Sequence, residues 1–563
     1  MQRYLNLLIS ERGCCKSATG GFMALEVMGN RTEANERVNL GNLYRTGLTP
    51  EQDVIVWKTV GYHLLIIFAV ALAVRLPYYV DGLRPLNDGG MFALILDHLR
   101  VTGLRWPLFI DYNHLHIPLG YPPLGFYISV LATYLPMQNT LLVMTWLPLF
   151  FNFATVAAAY FIAHEVFEDP FLRMLTGVVY AVIGWGAVWL TMGGGITRSP
   201  GEFFALTTIA LFLRSCNQRS LKIAMIAGIF GGLTLITHLE CSVLIVVSLP
   251  VLALAFPRRI ENLTRMIVAG CIGTVVTLPW LFWIWTYLGF SPLMNAFHSG
   301  FDTAHHDFSL VVIVIAGALL AFAARFPYVL WLVAEFVIMR RNPNTHSVVI
   351  RAIILVWIAS IIVTLASRYI RSEWWKRAVT AVIAISLAIP MLGTVQKKSG
   401  RLEDLQSNLR AQLSVTEMEA MQAVPNYTAA DARFIVLSER TDLWYEDFPS
   451  EWFPYYSGRQ CLNTVQGREW LPNRDFNRAA LVSGSLLALN ASPNFDELIY
   501  KSEPDYLMVV HPMDENHEAI GGTYLRLTQP TPVYKNRDVE VFAFDKAKIR
   551  AAAAKYAAAN GMK

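Results

Sequence analysis

The sequence predicts a mainly helical fold: a polytopic bundle of about eleven membrane spans followed by a small C-terminal α/β or α+β domain. Three observations support this class. The 563-residue chain is 54% hydrophobic and only 16% charged, with a mean hydropathy of +0.40, which is too apolar for a soluble protein of this length. Long apolar runs recur as far as residue 394. Beyond them the composition changes to short β-forming segments separated by turn residues.

Charge and cysteine content exclude several classes of protein. The formal net charge is only +4, and the basic residues lie in short clusters between apolar runs, as the positive-inside rule expects of cytoplasmic loops. A nucleic-acid partner is therefore not expected, since its footprint would gather on one polar face. The six cysteines show no C-x-x-C spacing, which argues against a disulfide framework or a zinc site.

The N-terminal half begins with a predicted cytoplasmic tail, residues 1–57, which mixes both charge signs. The transmembrane region, residues 58–394, follows. Its first span, 59–80, is long enough to cross a bilayer and leads to a large outer loop, 81–125. Residues 124–135 are too short to cross and predict an interfacial helix. The next spans are predicted at 140–164, 171–191, 203–214, 221–237, 241–256 and 265–288.

The topology is harder to assign after residue 309. The run 309–340 is either one kinked span or two short ones. Two basic segments, MRRNPNTHSVVIR and SRYIRSEWWKR, come after it in the sequence, and the positive-inside rule cannot place both in the cytoplasm. Two spans are favoured because they leave the SRYIRSEWWKR segment cytoplasmic and send the last span, 377–394, outward. This topology predicts a multi-pass protein of the plasma membrane, of a prokaryote, with an extracytoplasmic C-terminal domain.

The polar end of the chain divides into three predicted parts. Residues 395–424 place leucines near helical spacing, which indicates an amphipathic linker helix. Residues 425–546 contain the β-forming segments ARFIVLS, DYLMVV and VEVFAFD and form the C-terminal domain. Residues 547–563 are alanine-rich, and a helical or disordered tail is expected there.

The outer loop carries the strongest candidate for chemistry. Asp88 precedes Gly89-Gly90, where glycines allow a ligand to approach and a helix begins whose amides favour anions. A carboxylate there is suited to take a proton from an acceptor hydroxyl, although it is equally suited to cap the helix. Asp97 is expected on the water-facing side of that helix. Further loop side chains are candidate walls of a substrate site: Asp111, His114, His116 and Tyr121.

A second glycine-rich segment, GGGITRSPGE, is predicted on the same side of the membrane. Gly194 and Gly195 precede Arg198 at a helix start, so backbone amides and a guanidinium can both face a phosphate. Arg198 can instead pair with Glu202, one helical turn later. The next outward turn contributes His238 and Glu240, which are ionisable residues at a membrane boundary and therefore functional candidates by default.

Two other polar segments admit alternative interpretations. The 289–308 loop contains Asp302, His305 and His306, which are weak candidates for a divalent metal; an exposed polar loop explains them as well. The aromatic and acidic residues of 444–459 are suited either to stack on sugar rings or to pack the C-terminal domain on the membrane region. The sequence requires no cofactor, and a divalent metal is compatible with it.

On these features the chain resembles the GT-C superfamily of membrane glycosyltransferases, which includes protein mannosyltransferases and the aminoarabinose transferase. The resemblance rests on the first span, the large outer loop with an early acidic residue in LNDGG, the YPPL element at 121–124, the many spans and the outer C-terminal domain. It covers most of residues 59–394. The segments GGGITRSPGE, EWFPYYSGR and VQGREW are also similar to those of prokaryotic membrane glycosyltransferases.

The resemblance implies a hexosyltransferase-like enzyme that inverts the sugar it transfers from a polyprenyl-phosphate donor to an acceptor hydroxyl at the outer face of the bilayer. Asp88 matches the carboxylate that acts as base or positions a metal, and Arg198 is suitably placed for the phosphate. The acceptor, whether glycan, lipid or protein, is not specified. Oligosaccharyltransferases of this superfamily carry a Trp-Trp-Asp motif, and this chain has none on the predicted outer side, which argues against N-linked transfer to protein. The alternative is a transporter or lipid flippase, for which internal symmetry and broken helices would be expected.

Overall fold

A computed structural model gives the architecture of most of the chain. The part of the chain that it describes comprises residues 56–76, 89–135, 139–183, 190–191, 193, 195–255, 258–301, 327–338, 347–367, 369–388, 413–438, 447–472, 475–485, 503–511, 522 and 524–559.

The apolar runs of the sequence form the helices of a bundle. The helices are α1 (Val56–Arg75), α4 (Thr140–Val166), α5 (Pro170–Val182), α6 (Gly195–Gln218), α7 (Leu221–Leu235), α8 (Leu239–Ala255), α9 (Arg259–Tyr287), α10 (Ser291–Phe301), α11 (Pro327–Ile338), α12 (Val348–Leu365) and α13 (Glu373–Ala388). Among the described residues, α4, α9 and α12 are long and apolar enough to cross a membrane, and four other apolar helices are shorter. The count of about eleven spans stays a prediction.

Two predicted boundaries in this region differ from the structure. The span predicted at 203–214 begins at Gly195 and ends at Gln218, so the glycine-rich segment supplies its first turn. The loop predicted at 289–308 contains the helix α10, because Ser291–Phe301 presents an apolar side to its neighbours. Residues 302–326 lie outside the described residues.

The outer loop folds into two helices and a hairpin. Helix α2 (Gly90–Val101) is followed by strands β1 (Phe109–Tyr112) and β2 (Leu115–Pro118), and then by α3 (Leu124–Ala132), which matches the short helix predicted at 124–135. The strands pair antiparallel, with Tyr112 opposite Leu115. Asn113 and His114 connect them with φ of 56° each, as a tight two-residue hairpin turn requires.

The C-terminal part contains a five-stranded mixed sheet, which confirms that a smaller sheet region accompanies a mainly helical chain. The elements are α14 (Val415–Ala423), β3 (Arg433–Leu437), α15 (Phe448–Ser457), β4 (Gln460–Cys461), α16 (Asp475–Ser485), β5 (Tyr506–Val510), β6 (Tyr534–Lys535), β7 (Val539–Ala543) and α17 (Lys546–Ala559). The strand order in the sheet is β4-β3-β5-β7-β6. Strand β3 runs parallel to β4 and β5, whereas β7 is antiparallel to β5 and β6.

Both ends of this region are helical where they are described. Helix α14 begins with a capping box between Ser414 and Glu417, which satisfies two backbone amides at its start. Helix α17 covers most of the tail predicted at 547–563, and its Ile549 is buried against the sheet. Most of the linker predicted at 395–424 lies outside the described residues, so the domain boundaries stay predictions.

The outer loop and the C-terminal sheet share one hydrophobic core. Met91 and Ile95 of α2 pack in the same cluster as Phe434 of β3 and Trp452 of α15. Trp452 and Phe453 are fully buried. Of the two interpretations of the aromatic segment 444–459, packing on the membrane region is seen for Trp452, whose ring abuts Gly89. The Phe453 ring packs on Phe434 within the C-terminal domain, and residues 439–446 lie outside the described residues.

Candidate active site

The two glycine-rich segments of the sequence are neighbours in space. A Cβ placed on Gly89 would lie 3.2 Å from the Cα of Gly193, 3.0 Å from the Met144 side chain and 2.5 Å from the Trp452 ring. Only a residue without a side chain fits between these groups. The segment that carries Asp88 and the segment that precedes Arg198 thus meet, although they are about a hundred residues apart in the sequence.

Asp88 itself lies outside the described residues, and Gly89 is the first described residue after it. Helix α2 begins at Gly90, and Gly89 occupies the N-cap position without a side-chain cap. The N-cap interpretation of Asp88 therefore places the cap one residue too early. Gly90 is also confined, because a Cβ there would lie 2.4 Å from the carbonyl oxygen of Glu451 and 3.0 Å from the Tyr112 hydroxyl.

Three helices begin around the meeting point of the glycines. Helix α6 starts at Gly195, two residues after Gly193. The start of α3 packs on it, since a Cβ on Gly125 would lie 2.8 Å from the carbonyl oxygen of Ile196. Helix α2 starts at Gly90 on the other side. Helix N-termini carry partial positive charge, so their convergence favours an anion. The amides of Met91 in α2 and Leu124 in α3 are already bonded to Gln466 and to the carbonyl oxygen of Ile236.

Arg198 and Glu202 are placed by the first two turns of α6. Arg198 is half-buried, whereas Glu202 is buried. The chain before them turns tightly, because a Cβ on Gly195 would lie 2.4 Å from the carbonyl oxygen of Leu190, and Ser199 donates a hydrogen bond to that same oxygen. Gly194 lies outside the described residues.

His238 joins Arg198 and Glu202 from the turn between α7 and α8. A Cβ on Gly201 would lie 2.7 Å from the Cβ of His238, so the two segments are in close contact. The Sγ of Cys241 lies 3.4 Å from Nδ1 of His238 and 3.8 Å from the carbonyl oxygen of Arg198. Glu240 is half-buried in the first turn of α8. The structure thus groups Arg198, Glu202 and His238.

The hairpin residues lie in a different environment. Asp111 and His116 face each other at 2.9 Å, with side chains 80% and 67% exposed. His114 contacts the carbonyl oxygen of Gly458 at 3.2 Å. Next to it, the side chain of Asn113 exchanges two hydrogen bonds with the backbone of Cys461. The hairpin therefore presents two of its polar side chains to solvent and attaches to the C-terminal domain through its turn.

Tyr121 connects the end of the outer loop to the VQGREW segment. Its hydroxyl donates to Oε1 of Glu469 at 2.7 Å, and its ring lies 4.5 Å from that of Trp470. The indole of Trp470 donates to the same carboxylate oxygen at 3.1 Å. Two donors on one oxygen fix the Glu469 side chain, which in turn holds the Tyr121 ring in place.

The environment of Asp97 differs from the one expected from the sequence. It was expected to face water, but it accepts hydrogen bonds from Thr140 at 2.5 Å and from Tyr455 at 2.8 Å. Burial, followed by the nearby Asp97 charge, raises the pKa of Tyr455 well above its usual value, so the tyrosine stays a donor at neutral pH. Asp97 joins α2 to α4 and α15.

Sequence reasoning also missed the contact between α2 and Gln466. The side chain of Gln466 accepts a hydrogen bond from the backbone amide of Met91 at 3.1 Å, which satisfies one of the donors at the start of the helix. The signal for this contact lay in the polar residues of VQGREW, but nothing in their spacing indicated the partner.

No metal site is defined in the described part of the chain, where no group of three or more His, Cys, Asp and Glu side chains is close enough to hold an ion. The weak candidates Asp302, His305 and His306 fall between residues 302 and 326, outside the described residues. The sequence-based expectation for a divalent metal is therefore untested.

Comparison with known proteins identifies the fold. No protein-family model and no curated protein sequence matches the chain. Among solved structures, the oligosaccharyltransferase AglB of Archaeoglobus fulgidus, in complex with an inhibitory peptide and a dolichol-phosphate, superposes with a TM-score of 0.53 at 12% identity, covering 80% of this chain and 69% of AglB. Its apo form gives a TM-score of 0.54 at 11% identity, covering 81% and 70%.

A second similarity is to ArnT of Cupriavidus metallidurans bound to undecaprenyl phosphate, with a TM-score of 0.47, 14% identity and coverage of 85% of this chain and 97% of ArnT. The chain therefore shares its fold with the AglB oligosaccharyltransferase. This finding confirms, at the level of fold, the resemblance drawn from the sequence.

Proposed function

We propose that this protein transfers a sugar from a polyprenyl-phosphate donor to an acceptor hydroxyl at the extracytoplasmic face of a membrane, with inversion at the anomeric carbon. The observation that carries the proposal is the contact between Gly89 and Gly193. It brings the segment after Asp88 beside the helix start that bears Arg198. A carboxylate and a phosphate-binding cation are the two groups that this reaction needs together.

The proposed reaction is a single displacement. The acceptor oxygen attacks the anomeric carbon while Asp88 takes the hydroxyl proton. The bond from the anomeric carbon to the phosphate oxygen breaks, and polyprenyl phosphate leaves with the electron pair. Arg198 and the amides at the start of α6 stabilise the growing charge on that phosphate, because both act as preorganised donors.

The environment of Arg198 supports this division of roles. Arg198 lies in the first turn of α6, and a guanidinium together with the backbone amides of a helix start is suited to bind phosphate oxygens. Glu202 and His238 lie one turn deeper, and we propose that they set the orientation of the arginine and line the donor site. A lipid-linked donor also accounts for the many apolar helices, because its tail needs an apolar surface beside the site.

A structural comparison and the arrangement of the helices support a polyprenyl-phosphate donor. AglB, whose fold this chain shares, is described in complex with a dolichol-phosphate. In this chain the anion-favouring helix starts lie at one end of apolar helices, where a lipid phosphate at the bilayer surface would be found. The outer orientation rests on the positions of the basic loops.

The test is a transfer assay on membranes fed a labelled polyprenyl-phosphate sugar, with Asp88→Asn as the decisive variant. Loss of the proton acceptor is expected to lower kcat by about a hundredfold or more. Asp431→Asn, at an exposed position in the C-terminal domain, is the matched control and is expected to transfer normally. Unchanged transfer by Asp88→Asn would remove the proposed base.

A further inference from the structure

Helix α10 comes directly after a helix that can cross a membrane. Helix α9 runs from Arg259 to Tyr287 and is long and apolar enough to cross a bilayer. Its last turn carries two aromatic side chains that are exposed on the surface of the bundle, Trp285 and Tyr287. Tryptophan and tyrosine rings concentrate where a span reaches the headgroup region of a bilayer. The end of α9 therefore marks a membrane surface.

The chain turns between α9 and α10. The amide of Leu288 donates to the carbonyl oxygen of Ile284 at 2.9 Å, and Gly289 follows with a φ of 67°. A residue in this left-handed conformation commonly ends a helix, and it is usually glycine. Helix α10 begins at Ser291. The second helix thus starts next to the exposed rings and does not continue α9.

One side of α10 packs on the outer loop and on the C-terminal domain. The side chain of Asn295 donates a hydrogen bond to the carbonyl oxygen of Trp470 at 3.5 Å. A Cβ placed on Gly120 would lie 3.8 Å from the Cβ of Pro292. Leu293 packs against the core that the outer loop and the C-terminal domain share. These contacts define the side of the helix that faces protein.

The opposite side of α10 is apolar and exposed. Phe290, Met294 and Phe297 have 47%, 48% and 52% of their surface exposed, and we call these three residues the apolar stripe. Their spacing places them along one line of a helix, about half a turn away from Asn295 and Pro292. Water solvates such a stripe poorly, whereas the boundary between lipid headgroups and acyl chains accepts the apolar side of an amphipathic helix.

We propose that α10 is an interfacial helix whose apolar stripe inserts into the lipid at the membrane surface where α9 ends. The bilayer is the expected occupant because Phe290 follows the exposed Tyr287 by three residues, so the stripe continues the surface that the span presents to lipid. The inference requires only that α9 crosses a membrane, and it is independent of the proposed transfer reaction. Since the other side of α10 contacts Trp470, lipid contact also sets how close the C-terminal domain lies to the bilayer.

Photo-crosslinking tests which molecule covers the apolar stripe. The full chain, with benzoyl-phenylalanine in place of Met294, is reconstituted in liposomes of phosphatidylcholine and phosphatidylglycerol and irradiated. Mass spectrometry is expected to find a phospholipid adduct at this position. The same photoreactive residue in place of Val275, exposed within α9, is the positive control. In place of Asp431, exposed in the C-terminal domain, it is expected to give no lipid adduct.

Three outcomes of this experiment would overturn the inference. An adduct with residues 302–326 of the same chain would mean that this segment covers the stripe, and a covalent dimer would mean that a second copy does. Absence of any adduct at position 294, while position 275 gives one, would mean that the stripe faces water.

Hydrogen exchange in the same liposomes gives an independent measurement. Met294→Asp is expected to speed exchange of the α10 backbone amides by about tenfold or more, because a carboxylate is driven out of the apolar boundary and takes the helix with it. Met294→Leu keeps an apolar side chain and is expected to exchange as the unaltered protein does. On a helix that faces water, an aspartate at an exposed position is nearly neutral, so equal exchange in the two variants would contradict the inference.

Discussion

Arg198 is the residue whose chemistry distinguishes phosphate binding from a purely structural role. It lies in the first turn of α6, beside the backbone amides of a helix start, and one turn before the buried Glu202. A structural pair with Glu202 requires only a positive charge. A phosphate that is bound by two parallel hydrogen bonds requires the planar guanidinium.

We therefore expect Arg198→Lys to weaken transfer nearly as much as Arg198→Ala. The loss should be about ten- to a hundredfold in kcat/KM, since a lysine cannot reproduce the paired hydrogen bonds. The measurement is transfer from a labelled polyprenyl-phosphate sugar, with Arg459→Lys in the C-terminal domain as a control. Full activity in the lysine variant would favour the structural pair.

The sequence predicted the chemical role of a residue better than it predicted which residues contact it. The glycine-rich context of Gly89 and of Gly193 predicted two places where a ligand can approach the backbone, and in the structure these two glycines lie against each other. Asp97 was assigned to solvent because helical periodicity does not reveal that Thr140 and Tyr455 supply hydrogen bonds. The partner Tyr455 is 358 residues away, and no local pattern records a contact at that distance.

Helix α2 is the element on which the outer loop and the C-terminal domain converge. One side of it packs in their shared core, Asp97 bonds to α4 and α15, and Gln466 caps its start. Its presence could be predicted from the apolar spacing of residues 91–99. Its burial on several sides could not, because the covering elements come from three separate parts of the chain.

The close packing of α2 against α15 predicts how a substitution at Gly90 changes the stability of the protein. Gly90→Ala should lower the melting temperature of the detergent-solubilised protein by several degrees, since its methyl group would overlap the carbonyl oxygen of Glu451 and backbone cannot move as freely as a side chain. Gly61→Ala in α1 is the matched control, because nothing lies within 4 Å of its new methyl group. It is expected to be neutral or slightly stabilising.

Equal melting temperatures for Gly90→Ala and the unaltered protein would mean that α15 does not confine the start of α2. Transfer activity measured on the same preparations adds a second comparison. A shift of the helix start is expected to reduce kcat as well as stability, whereas Gly61→Ala should leave both unchanged.

At the scale of the whole molecule, the membrane bundle and the C-terminal domain form one structure through the outer loop. The apolar runs predicted the helices, and the β-forming segments predicted the sheet, because burial periodicity is a local property of the sequence. The order of the mixed sheet and the shared core could not be predicted in this way. They depend on pairings such as β3 with β5, which only the folded chain establishes.

The central claim is that a lipid phosphate binds at the start of α6 beside Arg198, near the segment that carries the proposed base Asp88. The most direct test is a cryo-EM structure of the full chain in lipid with added polyprenyl phosphate. The account predicts phosphate density within hydrogen-bonding distance of the Arg198 guanidinium and of the amides at the start of α6, with Asp88 facing the same space. Phosphate density at another site, away from Arg198 and the start of α6, would contradict it.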